Sequence, residues 1–264
     1  MLRQRLITAA IGLPVFLLIT WFGNPWFIAA VAIVATLGSL EFFRITISPK
    51  IEPLTYFAII VTVILSISPL YSTLTKSIVF VCFIIASLSW LLFLPNKEGS
   101  FLKWVWLLGG TVYLGWMLSY WGELRSLANG REWAYLSIFI IMASDTSAYF
   151  IGKAWGRHRM APSISPKKTW EGAIAGLIFG VLTFVAAKYL VLPYLSIANS
   201  IVCGGIVGVF GQIGDLSESL LKRDARVKDS SQFIPGHGGV LDRFDSLAFV
   251  APLVFFYLDF IVFS

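Results

Sequence analysis

Charge is scarce in these 264 residues: Asp, Glu, Lys and Arg together make up 13% of the chain, against 58% hydrophobic residues. A water-soluble domain carries about 25% charged residues, because one core hides only as many apolar side chains as its volume admits. The shortage excludes an ordinary soluble domain, and a mean hydropathy of +0.83 excludes disorder. Cysteine and histidine are rarer still, at 2 each. Cys82 and Cys203 stand singly in apolar stretches with no second Cys or His at ligand spacing, which argues against a disulfide framework and a zinc site. They read as small packing residues. Low-complexity segments, linkers and a visible inverted repeat are also missing, and no basic soluble stretch exists to hold nucleic acid. The net charge of +6 needs another explanation.

What the chain has in abundance is long apolar runs, near 6–22, 25–40, 54–71, 77–95, 102–121, 133–152, 172–192, 197–214 and 245–263. Windows of about 20 residues with one charge or none suit ~30 Å of hydrocarbon. The expected fold is all-α: a polytopic membrane helix bundle of about nine transmembrane helices, forming a single integral membrane domain over 1–264. Arg3 and Arg5 ahead of the first run imitate a secretory signal, but eight further runs favour an uncleaved helix. Assigning Lys and Arg to alternate sides explains the positive balance: 16 of the 20 fall at the N-terminus, in 41–53, in 96–103 and in the two longer polar segments 153–171 and 215–244. The other side holds Lys76, Arg125, Arg131 and Lys188. By the positive-inside rule the N-terminus and both polar segments are cytoplasmic, with the protein in the inner cell membrane.

Two glycine rows stand out, Gly172, Gly176 and Gly180 in the seventh run and Gly204, Gly208 and Gly211 in the eighth. Such faces bring helix backbones close, either within one chain or at a dimer seam, and a homodimer is the expected oligomer.

Chemistry without a soluble domain must live on the two polar segments. If the eighth helix continues past Gly214, then Asp215, Ser219 and Lys222 share a face, with Glu218 and Arg223 at its edges. Asp242 and Asp245 form a second acidic pair at i and i+3 where the ninth helix begins. Paired carboxylates with few histidines favour a hard divalent cation such as Mg²⁺, which usually arrives with phosphates. Lys222, Arg223, Arg226, Lys228 and Arg243 supply the opposite sign. Pro235-Gly236-His237-Gly238-Gly239 permits a turn that closes around a ligand, and His237 reads equally as a substrate contact or a turn cap.

The other segment ends in Ser165-Pro166-Lys167-Lys168-Thr169-Trp170-Glu171-Gly172, where Ser-Pro reads as an N-cap followed by proline at the first helical position. Lys167 and Lys168 then oppose the helix dipole, which suits phosphate contacts; membrane anchoring is the alternative. Asp145 lies inside the sixth run, where an unpaired charge costs about 2.5–3.5 kcal/mol or more, so it is expected to join the acidic cluster or pair with a lysine. Glu41 and Asp259 read as interfacial residues with no assigned role.

Ser219-x-x-Lys222-Arg223-x-x-x-x-Lys228-Asp229, followed by Pro235-Gly-His237-Gly-Gly-x-x-Asp242-Arg243-x-Asp245, resembles the signature of phosphatidate cytidylyltransferases, the CDP-diacylglycerol synthases. The stretch from Ser165 to Gly172 resembles that family's upstream motif. The resemblance covers the C-terminal half, 131–264, in detail and residues 1–130 in general hydropathy. It implies transfer of CMP from CTP to phosphatidic acid, giving CDP-diacylglycerol and pyrophosphate, with Mg²⁺ required and nucleic acid no partner. It implies Asp215 and Asp242 as first metal ligands, with Glu218, Asp245 and Asp145 as additions or outer holders. Lys167, Lys168, Lys222, Arg223, Lys228 and Arg243 would hold phosphates, with Ser219 and His237 beside them on the bound ligand. The nucleophile is already an anion, so no strong general base is expected.

Three other readings compete. A CTP-dependent polyprenol or dolichol kinase-like enzyme would move the γ-phosphoryl group to an alcohol, and a membrane transporter would use Asp145 along an ion path. The long signature disfavours the first, and the crowding of charge on one side disfavours the second. A CDP-alcohol transferase would need a tight run of aspartates beginning Asp-Gly, which is missing.

Overall fold

A computed structural model describes residues 2–95, 97–234, 236 and 238–263, with side chains from Ala10 onward. The chain runs through α1 (Leu2–Phe22), α2 (Trp26–Thr46), α3 (Pro53–Ser66), α4 (Thr73–Leu92), α5 (Ser100–Gly110), α6 (Leu118–Ser126) and α7 (Gly130–Trp155). It continues through a hairpin of β1 (Arg159–Ala161) and β2 (Ser165–Thr169), then α8 (Trp170–Val191), α9 (Ile197–Asp224) and α10 (Leu241–Tyr257). A π-helical turn over Thr111–Met117 joins α5 to α6 into one rod. Among the described residues seven helices are long and apolar enough to cross a membrane, and Ala10–Phe22 and Pro53–Ser66 are shorter apolar helices. The protein is a polytopic membrane bundle. Large apolar side chains left uncovered, such as Leu74 and Ile85 on α4 and Ile174 and Leu190 on α8, fit lipid as the surrounding solvent.

Local chemistry sets the helix ends. Ser72 and Ser196 cap α4 and α9 by accepting from the backbone N–H groups of Thr75 and Asn199, and Pro53 opens α3 where its missing N–H costs nothing. Inside the apolar helices several hydroxyls return to the preceding turn, as in Thr36 to the Ala32 carbonyl and Thr62 to the Ala58 carbonyl, which satisfies those two without water.

The chain divides into two compact units: residues 1–126 with 229–243, and residues 127–228 with 244–264. In the first, glycines let the α5–α6 rod approach its neighbours. A Cβ on Gly115 would come within 3.1 Å of Thr62 Cα, and one on Gly122 within 2.7 Å of Pro69 Cγ. In the second, α7, α8 and α9 pack along one another. Both glycine rows are used there: a Cβ on Gly204 would lie 2.7 Å from Val181 Cα, one on Gly208 3.0 Å from Leu177 Cα, and one on Gly172 2.6 Å from the Ala148 carbonyl oxygen. Of the two readings offered for these rows, packing within the chain accounts for them.

One local expectation is corrected. Lys167 and Lys168 do not sit in the first turn of a helix; they lie on β2, and the helix opens at Trp170 with Thr169 as its cap. Antiparallel pairing of Arg159 with Thr169 and Ala161 with Ser165 holds the segment extended. Pro166 has no N–H to donate and suits an extended edge, while the Thr169 hydroxyl accepts from the Gly172 N–H at 3.2 Å. The Ser-Pro pair has the composition of a helix start without being one.

Candidate active site

The second unit gathers the basic upstream motif and the acidic face of α9. Because α9 continues to Asp224, Asp215 and Ser219 stand one turn apart, and the Ser219 hydroxyl lies 3.4 Å from Asp215 Oδ1. Lys168 Nζ reaches from β2 to Asp215 Oδ2 at 2.8 Å, and Arg223 Nε donates to the Ile164 carbonyl at 3.2 Å. Two stretches far apart in sequence, up to 59 residues, are thereby tied by an ion pair and a hydrogen bond. One turn further, Glu218 is fully buried and ion-pairs with Lys222. A buried carboxylate without a cation would be several kcal/mol less stable, so Lys222 is held by Glu218 and Glu218 by Lys222.

Asp245 enters the same cluster from α10. It is buried, accepts from the Ser246 N–H at 2.7 Å, and lies within electrostatic reach of Asp215, Asp145 and Lys222. Gly214 makes the approach close: a Cβ there would meet the Asp245 carbonyl oxygen at 2.6 Å. Asp145 is exposed on α7 and belongs to this electrostatic group. Lys167 and Lys228 are exposed, on β2 and after α9. Glu171 binds His158, with its Oε1 2.6 Å from Nδ1, so its partner is an imidazole and a backbone N–H.

In the first unit the loop after Lys228 folds around two carboxylates. Asp242 Oδ2 accepts from the Ser230 N–H at 3.0 Å, the Ser230 hydroxyl at 2.8 Å and the Gly239 N–H at 2.8 Å. Gly238 has φ +84°, a left-handed conformation that a side chain rarely adopts, and its C=O accepts from the Ile234 N–H at 2.8 Å to close the turn. Arg243 is exposed beside it. His237 and Pro235 lie outside the described residues.

The second carboxylate is Glu41, to which the sequence had assigned only an interfacial place. It is 6% exposed on α2 and takes four donors: Ser231 Oγ at 2.6 Å and Val240 N at 3.0 Å on Oε1, Ser230 Oγ at 3.0 Å and Leu241 N at 2.9 Å on Oε2. α2 runs to Thr46, so Glu41 lies more than a turn inside the helix. The depth argument that singled out Asp145 reaches Glu41 only once the helix is known to continue past residue 40.

Among the described residues no three His, Cys, Asp or Glu side chains converge closely enough to enclose a metal ion. The donors are nevertheless of the right kind. Mg²⁺ is commonly held by one or two carboxylates plus substrate phosphates and water, which asks for oxygen donors beside cations and not for a closed cage. Asp215, Asp245 and Asp145, with Lys168 and Lys222 among them, fit that requirement.

Residues 3–261 match the cytidylyltransferase family. A phosphatidate cytidylyltransferase from Synechocystis sp. is 36% identical, the alignment covering 97% of this chain and 96% of that protein. One from Staphylococcus haemolyticus is 31% identical over 96% of this chain and 97% of its own length. One from Bacillus subtilis is 40% identical over 56% of this chain and 55% of its own.

Proposed function

The chain belongs to the cytidylyltransferase family, and from that membership we propose how it transfers CMP from CTP to phosphatidate, as a nucleotidyltransferase of phospholipid biosynthesis giving CDP-diacylglycerol and pyrophosphate. The observation that carries the reading is the ion pair of Lys168 with Asp215, which joins the basic hairpin to the acidic face of α9. A phosphatidate oxygen attacks the α-phosphorus of CTP, the bond to the β-phosphate oxygen breaks, and pyrophosphate leaves with the negative charge that gathers on it. Lys168, Lys222, Arg223 and the more exposed Lys167, Lys228 and Arg243 meet that charge, an electrostatic task that needs no strong general base.

Asp215 and Asp242 are our choice for the carboxylates that hold Mg²⁺, with Asp145, Glu218 and Asp245 shaping the field around them. The bound ion supplies charge neutralisation on the phosphates. Ser219 keeps Asp215 oriented, and His237 is assigned to the bound ligand. The site opens to the cytoplasm in the inner membrane, where CTP is dissolved and a lipid phosphate sits at headgroup depth; the lysine and arginine asymmetry of the loops supports this sidedness. A homodimer draws no support from the glycine rows, since both are filled within the chain.

Purified protein with CTP, phosphatidate and Mg²⁺ is expected to release one pyrophosphate for each CDP-diacylglycerol detected by mass spectrometry. Release of CDP with a phosphorylated lipid alcohol would instead favour kinase chemistry.

A further inference from the structure

Among the described residues α2 contributes a charged group, Glu41, to the signature loop. Glu41 Oε1 and Oε2 together accept from two serine hydroxyls and from the backbone N–H groups of Val240 and Leu241, where α10 begins. The first N–H groups of a helix have no partner within it, so Glu41 caps α10 from another element. The serines it holds are 230 and 231, and Ser230 is also the residue whose hydroxyl and N–H both reach Asp242. Gly239 leaves the space: a Cβ there would collide with Ser230 Oγ and Glu41 Oε2. The side-chain carboxylates that hold the loop among the described residues are Glu41 and Asp242, and Ser230 touches both.

We infer that Glu41 is a positioning residue for the reaction: it clamps Ser230, Ser231 and the start of α10 so that the Asp242 carboxylate is presented in one orientation. The inference rests on the reading of Asp242 as a metal-holding carboxylate. A hydrophobic contact could anchor the loop, but only an acceptor of four hydrogen bonds fixes both serine hydroxyls and the helix start at once. Glu41→Gln keeps the size of the side chain while turning one acceptor oxygen into an NH₂ that faces a backbone N–H at the start of α10, so that arm of the clamp becomes repulsive and the serine hydroxyl beside it must turn from donor to acceptor.

Three measurements test this. In Glu41→Gln, kcat is expected to fall and the Mg²⁺ concentration for half-maximal activity to rise, each by about tenfold or more, the usual cost of losing an outer-shell partner. Amide exchange in metal-free, substrate-free protein is expected to speed up over residues 229–241 and nowhere else. Asp242→Asn serves as the control for the underlying reading. Wild-type Mg²⁺ dependence and wild-type exchange in Glu41→Gln, with Asp242→Asn inactive, would overturn the role of Glu41 alone. An active Asp242→Asn would overturn the reading on which that role depends. Should Glu41→Gln fail to insert and fold, Ser231→Ala decides: it removes one donor to Glu41 and no contact with Asp242. A rise of about threefold in the Mg²⁺ requirement supports the clamp, and an unchanged value with unchanged exchange overturns it.

Discussion

Glu41 and Asp242 share a single serine hydroxyl: Ser230 Oγ stands 3.0 Å from Glu41 Oε2 and 2.8 Å from Asp242 Oδ2. A hydroxyl has one proton to donate, so at any instant it serves one carboxylate and accepts nothing from the other. The backbone N–H groups of Ser230 and Gly239 keep Asp242 Oδ2 satisfied when the hydroxyl turns to Glu41. A residue near the start of the chain is in this way bonded to the loop that carries the signature.

Asp242→Asn is expected to abolish turnover, by about a hundredfold or more, while the protein elutes as a folded species in detergent. The amide oxygen of Asn can still accept from Ser230 and Gly239, so the loop survives and only the negative charge is lost. Activity assays beside size-exclusion profiles measure both; near-normal turnover would remove Asp242 from the metal role.

Lys168→Met is expected to raise KM for CTP about tenfold, because the charge-assisted contact to phosphate is lost and Asp215 is left without its 2.8 Å partner. Lys168→Arg should recover part of the loss. Steady-state kinetics at saturating Mg²⁺ make the comparison, and an unchanged KM in the Met variant would assign Lys168 to structure.

Gly204→Ala places a Cβ 2.7 Å from the Val181 backbone, which cannot move aside as a flexible side chain would. A loss of about 1–3 kcal/mol is expected, the usual range for overpacking. It should appear as a lower melting temperature in detergent. The same substitution at Gly205, which has nothing within 4 Å, should leave melting close to wild type.

Most of the apolar runs were legible because lipid imposes length and composition on each helix independently of its neighbours; of about nine expected spans, seven are long and apolar enough among the described residues, while Ala10–Phe22 and Pro53–Ser66 are shorter. The one-face arrangement of Asp215, Ser219 and Lys222 was legible for a related reason: helical spacing is local. Two features were not local. The extended form of Lys167 and Lys168 depends on pairing with Arg159–Ala161, and Ser165-Pro166 offers the residues of a helix start without that information. Glu41 depends on partners about 190 residues away, and reading α2 as ending at residue 40 put its carboxylate at the membrane surface when the helix in fact continues to Thr46. Glu171 shows the same limit, since its partner His158 comes from across the hairpin.

The most direct measurement is the fate of labelled phosphorus in CTP supplied with phosphatidate and Mg²⁺. Cytidylyl transfer predicts that label at the α position enters the lipid and label at the γ position leaves as pyrophosphate. Label from the γ position in the lipid, or no lipid label from either position in folded protein, would contradict it.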